Sequence, residues 1–146
     1  LEFRRVLFRS NQIINIGVDT IEIDRVVRSC RRQYFLDHIF SEKEIEQMDS
    51  GKRRAASDFA GKEAVVKVLG TGFSQGVEAC QIEILRHEDG SPYVVLHGQA
   101  EKIAQDLGIR QWKISITNTR TEATAFVLGL GPDGQPSGKS GERHIL

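Results

Sequence analysis

The 146-residue sequence has little of what would assign it to a specialised class of protein. It has only two cysteines, Cys30 and Cys80, in no Cys-x-x-Cys or Cys/His spacing, which speaks against a disulfide scaffold or a structural zinc site and favours a reducing, cytoplasmic compartment. The longest unbroken apolar run is four residues, as in Ala125 to Leu128, far too short to span a membrane. Neither charge dominates, since 20 Lys and Arg balance 20 Asp and Glu, and this neutrality argues against a dedicated nucleic-acid-binding protein.

What the sequence does contain predicts one soluble globular domain between two dissimilar ends. Its 39% apolar and 27% charged residues are enough for a hydrophobic core at this length. Residues 1–10 carry three arginines without an initiator Met or an apolar signal core, so we interpret them as a non-native or disordered leader, with a targeting leader as the alternative. Residues 131–146 are rich in Gly, Pro and polar residues and are typical of a flexible tail. The working domain is therefore expected at residues 11–130.

Hydrophobic periodicity changes along this domain in an order that predicts an α+β fold. Residues 14–18 alternate with a period of two and predict a strand, whereas residues 23–30 have helical spacing. Ser41 and Glu44 have the spacing of a capping box and predict the start of a short helix. The other predicted elements are helices at residues 52–69 and 99–107, and hairpins at residues 81–96 and 112–128. Strands and helices do not strictly alternate, so we expect an antiparallel sheet with packed helices.

Two carboxylates occupy positions that structure alone explains poorly. Asp19 ends the first predicted strand, on the face opposite its apolar residues; the structural alternative is that it caps the next helix, in competition with Thr20. Glu63 falls on the apolar face of the long helix, where an ionised carboxylate needs a cation or hydrogen-bond donors. An i,i+4 ion pair with Lys67 is the structural alternative for Glu63. Two carboxylates together with substrate phosphate oxygens would suit Mg²⁺.

Two further features have a structural and a functional interpretation. Gly70 and Gly72 follow the long helix and fit a normal helix C-cap, since the spacing of a dinucleotide-binding loop is absent. Arg25, Arg28 and Arg32 share the helix face opposite the apolar stripe. That face is either simply solvated or a surface that attracts an acidic partner.

The two carboxylates lie in motifs that resemble a known family. Residues 16–19 read IGVD and are followed by Arg25, while residues 59–67 read FAGKEAVVK and are followed by a Gly-Thr-Gly turn. These resemble the G-x-D and F-x-x-K-E-A-x-x-K signatures of the 4′-phosphopantetheinyl transferase superfamily, in its short bacterial single-domain form, the holo-acyl-carrier-protein synthases. The likeness extends over most of residues 14–128 in the family's order.

The resemblance implies an activity and a set of catalytic residues. The activity is transfer of the 4′-phosphopantetheine arm of coenzyme A to a serine of apo acyl carrier protein, with release of adenosine 3′,5′-bisphosphate, as used in fatty acid biosynthesis. Mg²⁺ would be held by Asp19 and Glu63, which would account for a carboxylate on the apolar helix face. Lys62 and Lys67 match phosphate-contacting lysines. Glu63 is the expected base for the incoming serine, with Asp19 and Lys62 as the other catalytic residues.

The resemblance also implies binding surfaces. Arg25, Arg28 and Arg32 would bind the acidic carrier protein. The family's members are homotrimers with sites between subunits, so a second wall of the site would come from another chain. The residues expected to bind coenzyme A are Lys62, Lys67, Gly70, Gly72, Pro92 and Thr119.

Two positions depart from the family's pattern. Asp58 stands before the Phe, where the family usually has a basic residue, and Asn118 stands where the second hairpin often has His. Asp58 would repel a nucleotide phosphate if it faced the site, which would weaken coenzyme A binding or leave that contact to another arginine. Asn118 can still form hydrogen bonds. These departures motivate one alternative, a non-catalytic carrier-binding relative; a broad-specificity transferase for peptide-synthetase carriers and a basic-helix nucleic-acid module are the others.

Overall fold

The computed structural model describes residues 11–132, so the predicted leader and residues 133–146 of the predicted tail lie outside the described residues. The described chain contains five strands, five helices and a 3₁₀ turn at Ala79–Gln81. The strands are β1 (Asn11–Glu22), β2 (Ile82–Arg86), β3 (Pro92–Leu96), β4 (Gln111–Asn118) and β5 (Glu122–Pro132), and the helices are α1 (Ile23–Ser29), α2 (Gln33–Ile39), α3 (Glu42–Glu46), α4 (Arg53–Leu69) and α5 (Gly98–Asp106).

All strand pairs are antiparallel, which confirms the predicted α+β class. One sheet has the order β1-β5-β4, and β2 and β3 form a separate two-stranded sheet. Two details differ from the expectation. The β5 strand continues to Pro132, two residues into the predicted tail, because it stays paired with the start of β1. The sequence pattern did not predict helix α2, because most of its residues are exposed and the apolar spacing is interrupted.

Helix α4 crosses the three-stranded sheet and forms the centre of the core. Gly17 in β1 allows a close approach, because a Cβ atom there would lie 2.1 Å from the backbone oxygen of Ala64. Gly61 does the same on the other side of the helix, where a Cβ atom would lie 2.9 Å from the side chain of Ile84 in β2. The two glycines place α4 between both sheets, with buried alanines and valines filling the contact.

The outer face of the three-stranded sheet is partly apolar, and none of the described residues covers it. Ile16 and Val18 each keep 52% of their surface exposed, and Phe126, the cross-strand partner of Val18, keeps 43%. The period-two pattern of β1 was therefore right as a strand signal, but Ile16 and Val18 lie on the exposed face, whereas Ile14 packs against the core because the strand register shifts between Ile13 and Asn15. We call Ile16, Val18 and Phe126 the outer apolar patch.

The helices of the described chain include none that combines the length and the apolar character needed to cross a membrane.

Candidate active site

Asp19, Glu63 and Lys67 meet where β1 passes under α4. The Nζ atom of Lys67 donates hydrogen bonds to Oδ1 of Asp19 at 3.1 Å and to the backbone oxygen of Val18 at 2.8 Å. The Lys67 side chain is 53% exposed and that of Asp19 is 20% exposed, so the cluster opens to solvent. The site therefore combines carboxylate oxygens with one accessible ammonium group.

The charge of Asp19 acts on Glu63, which is half-buried. Burial and the repulsion from Asp19 raise the pKa of the Glu63 carboxyl, and the ammonium of Lys67 opposes that rise. Within the described residues Glu63 forms no ion pair, because Lys67 bonds to Asp19. The structural alternative of an i,i+4 bridge is therefore wrong, and a cation between the two carboxylates would relieve their repulsion.

The capping alternative for Asp19 is also wrong. Strand β1 runs through Asp19 to Glu22, and Glu22 is the N-cap residue of α1, with no side-chain cap bond. The hydroxyl of Thr20 instead lies 2.8 Å from that of Thr124 on β5. Neither Asp19 nor Thr20 is used to start the helix, which leaves the Asp19 carboxylate facing α4 and Lys67.

The Gly70–Gly72 turn closes α4 one turn beyond Lys67. Gly70 is the C-cap residue, and both glycines have positive φ, 76° and 59°, which side-chain-bearing residues rarely adopt. A Cβ atom on either glycine would meet nothing within 4 Å, so the space above the turn is open. The structural reason for these glycines is the backbone conformation; a role in binding coenzyme A stays a prediction.

Lys62 was expected to contact a phosphate of coenzyme A, and its position in the structure contradicts this prediction. Its side chain is fully buried, and its Nζ atom donates hydrogen bonds to Oε1 of Glu44 at 2.7 Å, to the backbone oxygen of Ala79 at 2.9 Å and to that of Ile82. Burial lowers the pKa of the Lys62 ammonium and raises the pKa of the Glu44 carboxyl, while their mutual attraction opposes both shifts. With all three ammonium hydrogens committed inside the protein, Lys62 has no donor left for a substrate phosphate.

The arginines that are expected to bind the carrier protein are all exposed, but they do not share one helix. Arg25 and Arg28 lie on α1, whereas that helix ends at Ser29 and Arg32 is the N-cap residue of α2. The prediction that all three arginines share one helix face assumed a continuous helix and is wrong. The basic surface that remains well defined on α1 is formed by Arg25 and Arg28.

A second polar region lies near the first turn of α4, away from Asp19. It is a surface pocket of about 350 Å³. Its lining includes Pro92, which was expected to bind coenzyme A, and Asn118, which departs from the family's pattern. The hydroxyl of the predicted Thr119 accepts hydrogen bonds from the backbone N–H groups of Thr121 and Glu122, so it shapes the β4–β5 turn. The residues that line the pocket are Asp49, Arg53, Arg54, Ser57, Arg86, Gly90, Pro92, Ile116 and Asn118.

Asp58 does not face this pocket with a free negative charge. It is 1% exposed, and its Oδ1 atom lies 2.9 Å from Nη2 of Arg86 at the end of β2. Burial raises the pKa of Asp58 to about 7, with Arg86 opposing the rise. Sequence reasoning noted the departure at Asp58 but missed its partner, because only the fold brings the end of β2 beside α4.

The carboxylate pair fits a divalent metal ion that also binds substrate oxygens. In the described residues no group of three or more His, Cys, Asp or Glu side chains could hold a metal by itself. Two carboxylates that repel each other, open to solvent, are a suitable donor set for Mg²⁺, which usually keeps waters or phosphate oxygens as its other ligands.

Comparison with known proteins gives the family. The sequence model described as the 4′-phosphopantetheinyl transferase superfamily matches residues 15–121. The chain therefore belongs to that superfamily, and the resemblance read from the motifs is confirmed. Within it, the similar proteins are holo-acyl-carrier-protein synthases. The holo-[acyl-carrier-protein] synthase of Lachnoclostridium phytofermentans is 47% identical over 117 residues, which cover 80% of this chain and 95% of the relative.

Solved structures agree with this assignment. The crystal structure of the holo-ACP synthase from Plasmodium yoelii matches with a TM-score of 0.72 and 27% identity, over 86% of this chain and 100% of that one. The Helicobacter pylori holo-[acyl-carrier-protein] synthase, solved in complex with coenzyme A, matches with a TM-score of 0.66 and 26% identity, over 78% of this chain and 98% of that one.

Replacing Lys62 by Met tests its structural role. We expect the Lys62→Met variant to lose about 3–5 kcal/mol of unfolding free energy, because the Glu44 carboxylate is left buried without its cation. Urea unfolding measures this loss. The double variant Lys62→Met/Glu44→Gln is the control and should recover part of it. A Lys62→Met protein of unchanged stability with a raised KM for coenzyme A would instead restore the phosphate-contact assignment.

Proposed function

We propose that this protein is a holo-acyl-carrier-protein synthase, which transfers the 4′-phosphopantetheine arm of coenzyme A to a serine of apo acyl carrier protein. The observation that carries the proposal is the meeting of Asp19, Glu63 and Lys67 in one solvent-open cluster, each at its position in the family's two motifs. The related Helicobacter pylori structure was solved with coenzyme A, which supports the same donor here.

Asp19 and Glu63 are proposed to hold Mg²⁺. When bound, the ion supplies positive charge that neutralises the pyrophosphate oxygens of the donor. The repulsion that raises the pKa of the Glu63 carboxyl in the free protein supports this assignment, since it marks a position where a cation is favoured over a second anion.

The remaining roles are assigned to groups that solvent can reach. Lys67 is proposed to contact the leaving phosphate, because its ammonium is half exposed and has one more hydrogen to donate. Glu63 is proposed to accept the proton of the incoming serine, directly or through a water molecule, since it is the carboxylate of the motif that lies beside Lys67 in the solvent-open cluster. Gly70 and Gly72 leave open space beside Lys67 through which the donor can approach.

Arg25 and Arg28 are proposed to attract the acidic carrier protein, with Arg32 extending the same positive surface beyond the helix end. All three are exposed, and α1 follows directly from the strand that carries Asp19. A carrier protein held there would have its serine near the end of β1. Because the attraction is between exposed charges, it acts over about 8 Å at physiological salt and weakens as salt is added.

A homotrimer is part of the proposal, and the outer apolar patch supports it. Three large apolar side chains lie on one sheet face and are each roughly half exposed. A contiguous exposed apolar patch of this kind is typical of an interface with another protein chain. A second copy of the chain would cover them and supply another wall for the site. We also propose a cytoplasmic location, in keeping with two cysteines that are both free thiols.

Intact-mass analysis tests the function directly. Apo acyl carrier protein is incubated with this protein, coenzyme A and Mg²⁺, and the expected result is a carrier whose mass has increased by one phosphopantetheine group. Formation of a stable complex with the carrier and no mass increase would establish the non-catalytic carrier-binding alternative.

Replacing Glu63 by Gln tests the metal site. We expect Glu63→Gln to lower kcat/KM by more than about tenfold, the equivalent of roughly 1.4 kcal/mol, because a neutral amide is a poor metal ligand. Binding of Mg²⁺, measured by calorimetry, should weaken in parallel, and Asp19→Asn should behave in the same way. Glu101→Gln, on the exposed face of α5, is the control. Activity of Glu63→Gln within about threefold of wild type would contradict the ligand assignment.

Reversing the charge of Arg25 tests the carrier surface. We expect Arg25→Glu to raise KM for apo acyl carrier protein and to leave KM for coenzyme A unchanged. Wild-type kcat/KM for the carrier should fall steeply with added salt, and the variant should respond less. Lys102→Glu, an exposed residue of α5, changes net charge equally and should keep the wild-type slope. Equal values and equal salt slopes for Arg25→Glu and wild type would mean that α1 is only a solvated face.

Placing a charge in the outer apolar patch tests the trimer. We expect Phe126→Lys to convert the wild-type trimer to smaller species in sedimentation equilibrium, because a buried lysine at the interface would lack a partner. Tyr34→Lys replaces an exposed aromatic residue of α2 outside the patch and should remain trimeric. A trimer that survives Phe126→Lys would place the interface elsewhere.

A further inference from the structure

The face of β1 that carries Asp19 contacts α4 at three successive positions. Gly17 packs against the helix backbone, where a Cβ atom would lie 2.1 Å from the carbonyl oxygen of Ala64. Asp19, two residues further along the strand, accepts a hydrogen bond from Nζ of Lys67 at 3.1 Å. Two residues before Gly17, the side chain of Asn15 reaches the end of the same helix. The proposed function gives Asn15 no role.

The side-chain amide of Asn15 connects β1 to the last turn of α4. Its Nδ2 atom donates a hydrogen bond to the backbone oxygen of Val68 at 3.0 Å, and its Oδ1 atom accepts one from the backbone N–H of Ile16 at 2.9 Å. The last carbonyl groups of a helix have no partner within the helix. The backbone N–H groups of Gly70 and Thr71 bond to carbonyls that precede Val68. Asn15 therefore supplies a helix-end carbonyl with its donor and ties the strand to the helix.

A β-bulge aims this amide at the helix. The pairing of β1 with β5 shifts its register between Ile13 and Asn15, so Ile14 is the extra residue of the bulge. A bulge changes the direction of the side chains beside it. From Asn15 to Glu22 the pairing is regular, so the strand behaves as one rigid unit. Asp19 lies four residues along this unit, about 13 Å from Asn15.

The Asn15 bond fixes the position of β1 along the axis of α4. Gly17 sets how closely the two backbones approach, but it has no side chain that could prevent the strand from sliding along the helix. The bond from Asn15 to Val68 opposes that movement, because it joins one donor to one acceptor. A slip of one residue would move Asp19 by about 3.3 Å relative to Glu63. Mg²⁺ demands nearly ideal octahedral geometry, so two carboxylates that share the ion tolerate much less than this.

We propose that Asn15 is a positioning residue, whose bond to the end of α4 fixes Asp19 relative to Glu63. This rests on the proposed function, in which the two carboxylates hold Mg²⁺. Asn15 bonds to the helix and not to either carboxylate, so it acts through the strand. Loss of its donor should weaken metal binding and lower kcat, and it should leave KM for the carrier protein unchanged.

Titration of the full-length protein with Mg²⁺ alone, followed by calorimetry, tests the proposal together with transfer kinetics. Asn15→Ala removes the bond to Val68. Asn15→Asp keeps the acceptor for the N–H of Ile16 but replaces the donor with a negative charge, which by itself would favour a nearby cation. Asn11→Ala and Asn11→Asp are the matched controls, because Asn11 lies on the same strand but bonds to Gln111 on β4 at 2.7 Å. Circular dichroism confirms that each variant is folded.

The Mg²⁺ concentration that gives half of the maximum rate separates positioning from lost stability. Partial unfolding lowers the maximum rate without changing that concentration. For Asn15→Ala and Asn15→Asp we expect it to rise at least about fivefold, with a parallel loss of calorimetric affinity and with KM for apo acyl carrier protein within about twofold of wild type. The two Asn11 variants should stay within about twofold of wild type in every measurement.

Three results would overturn the role of Asn15 while leaving the transferase intact. They are unchanged Mg²⁺ binding by Asn15→Ala, tighter Mg²⁺ binding by Asn15→Asp, and an equal loss in Asn11→Ala, which would attribute the effect to a general weakening of β1. A wild type that neither binds Mg²⁺ nor modifies the carrier protein would remove the proposed function as well.

Discussion

The ion pair between Lys62 and Glu44 is the interaction on which the rest of this structure depends. Glu44 belongs to the short helix α3, where its carboxylate accepts hydrogen bonds from the backbone N–H groups of Ser41 and Ile84 as well as from Lys62. Lys62 lies on α4 and reaches the backbone on both sides of the 3₁₀ turn. Two charges excluded from water are tolerated only when nearly every donor and acceptor is satisfied, and that requirement fixes the relative positions of α3, α4 and β2.

This fixed position of α4 determines the site, because Lys62 and Glu63 are adjacent. A residue that points inward on a helix places its neighbour about 100° around the axis, and here that direction leads to β1 and Asp19. Gly17 completes the arrangement by letting β1 approach the helix backbone at Ala64. The lysine and glutamate of one motif therefore point in different directions. Lys62 fixes the position of α4 from the buried side, and this holds Glu63 in place on the side that faces β1.

Sequence patterns predicted every described helix and strand except α2, and they also predicted the carboxylate pair; they failed where a contact depended on the fold. Glu63 could be found because a carboxylate on an apolar helix face is a local anomaly, and Asp19 could be found because it lies in the motif that ends the first strand. The burial of Lys62 could not, since its partner Glu44 lies 18 residues away and also has a local explanation as a capping-box residue. Arg32 was assigned to the wrong helix because the break after Ser29 leaves no Gly or Pro signal. The departure at Asp58 was visible in the sequence, but its ion-pair partner Arg86 is identified only by the tertiary structure.

The neutral net charge of the chain conceals a strong separation of charge. Among the described residues, three groups of cations differ in their surroundings: Lys62 is buried with a carboxylate, Arg25 and Arg28 are exposed on α1, and Arg86 lies at a pocket beside Asp58. The three groups respond differently to added salt, because salt screens exposed charges and hardly affects buried ones. Added salt should therefore screen the exposed arginines of α1 strongly, and it should leave the Lys62–Glu44 pair unaffected. Because the total charge is balanced, the chain has no large net positive potential, and each cationic group interacts mainly with its own neighbours.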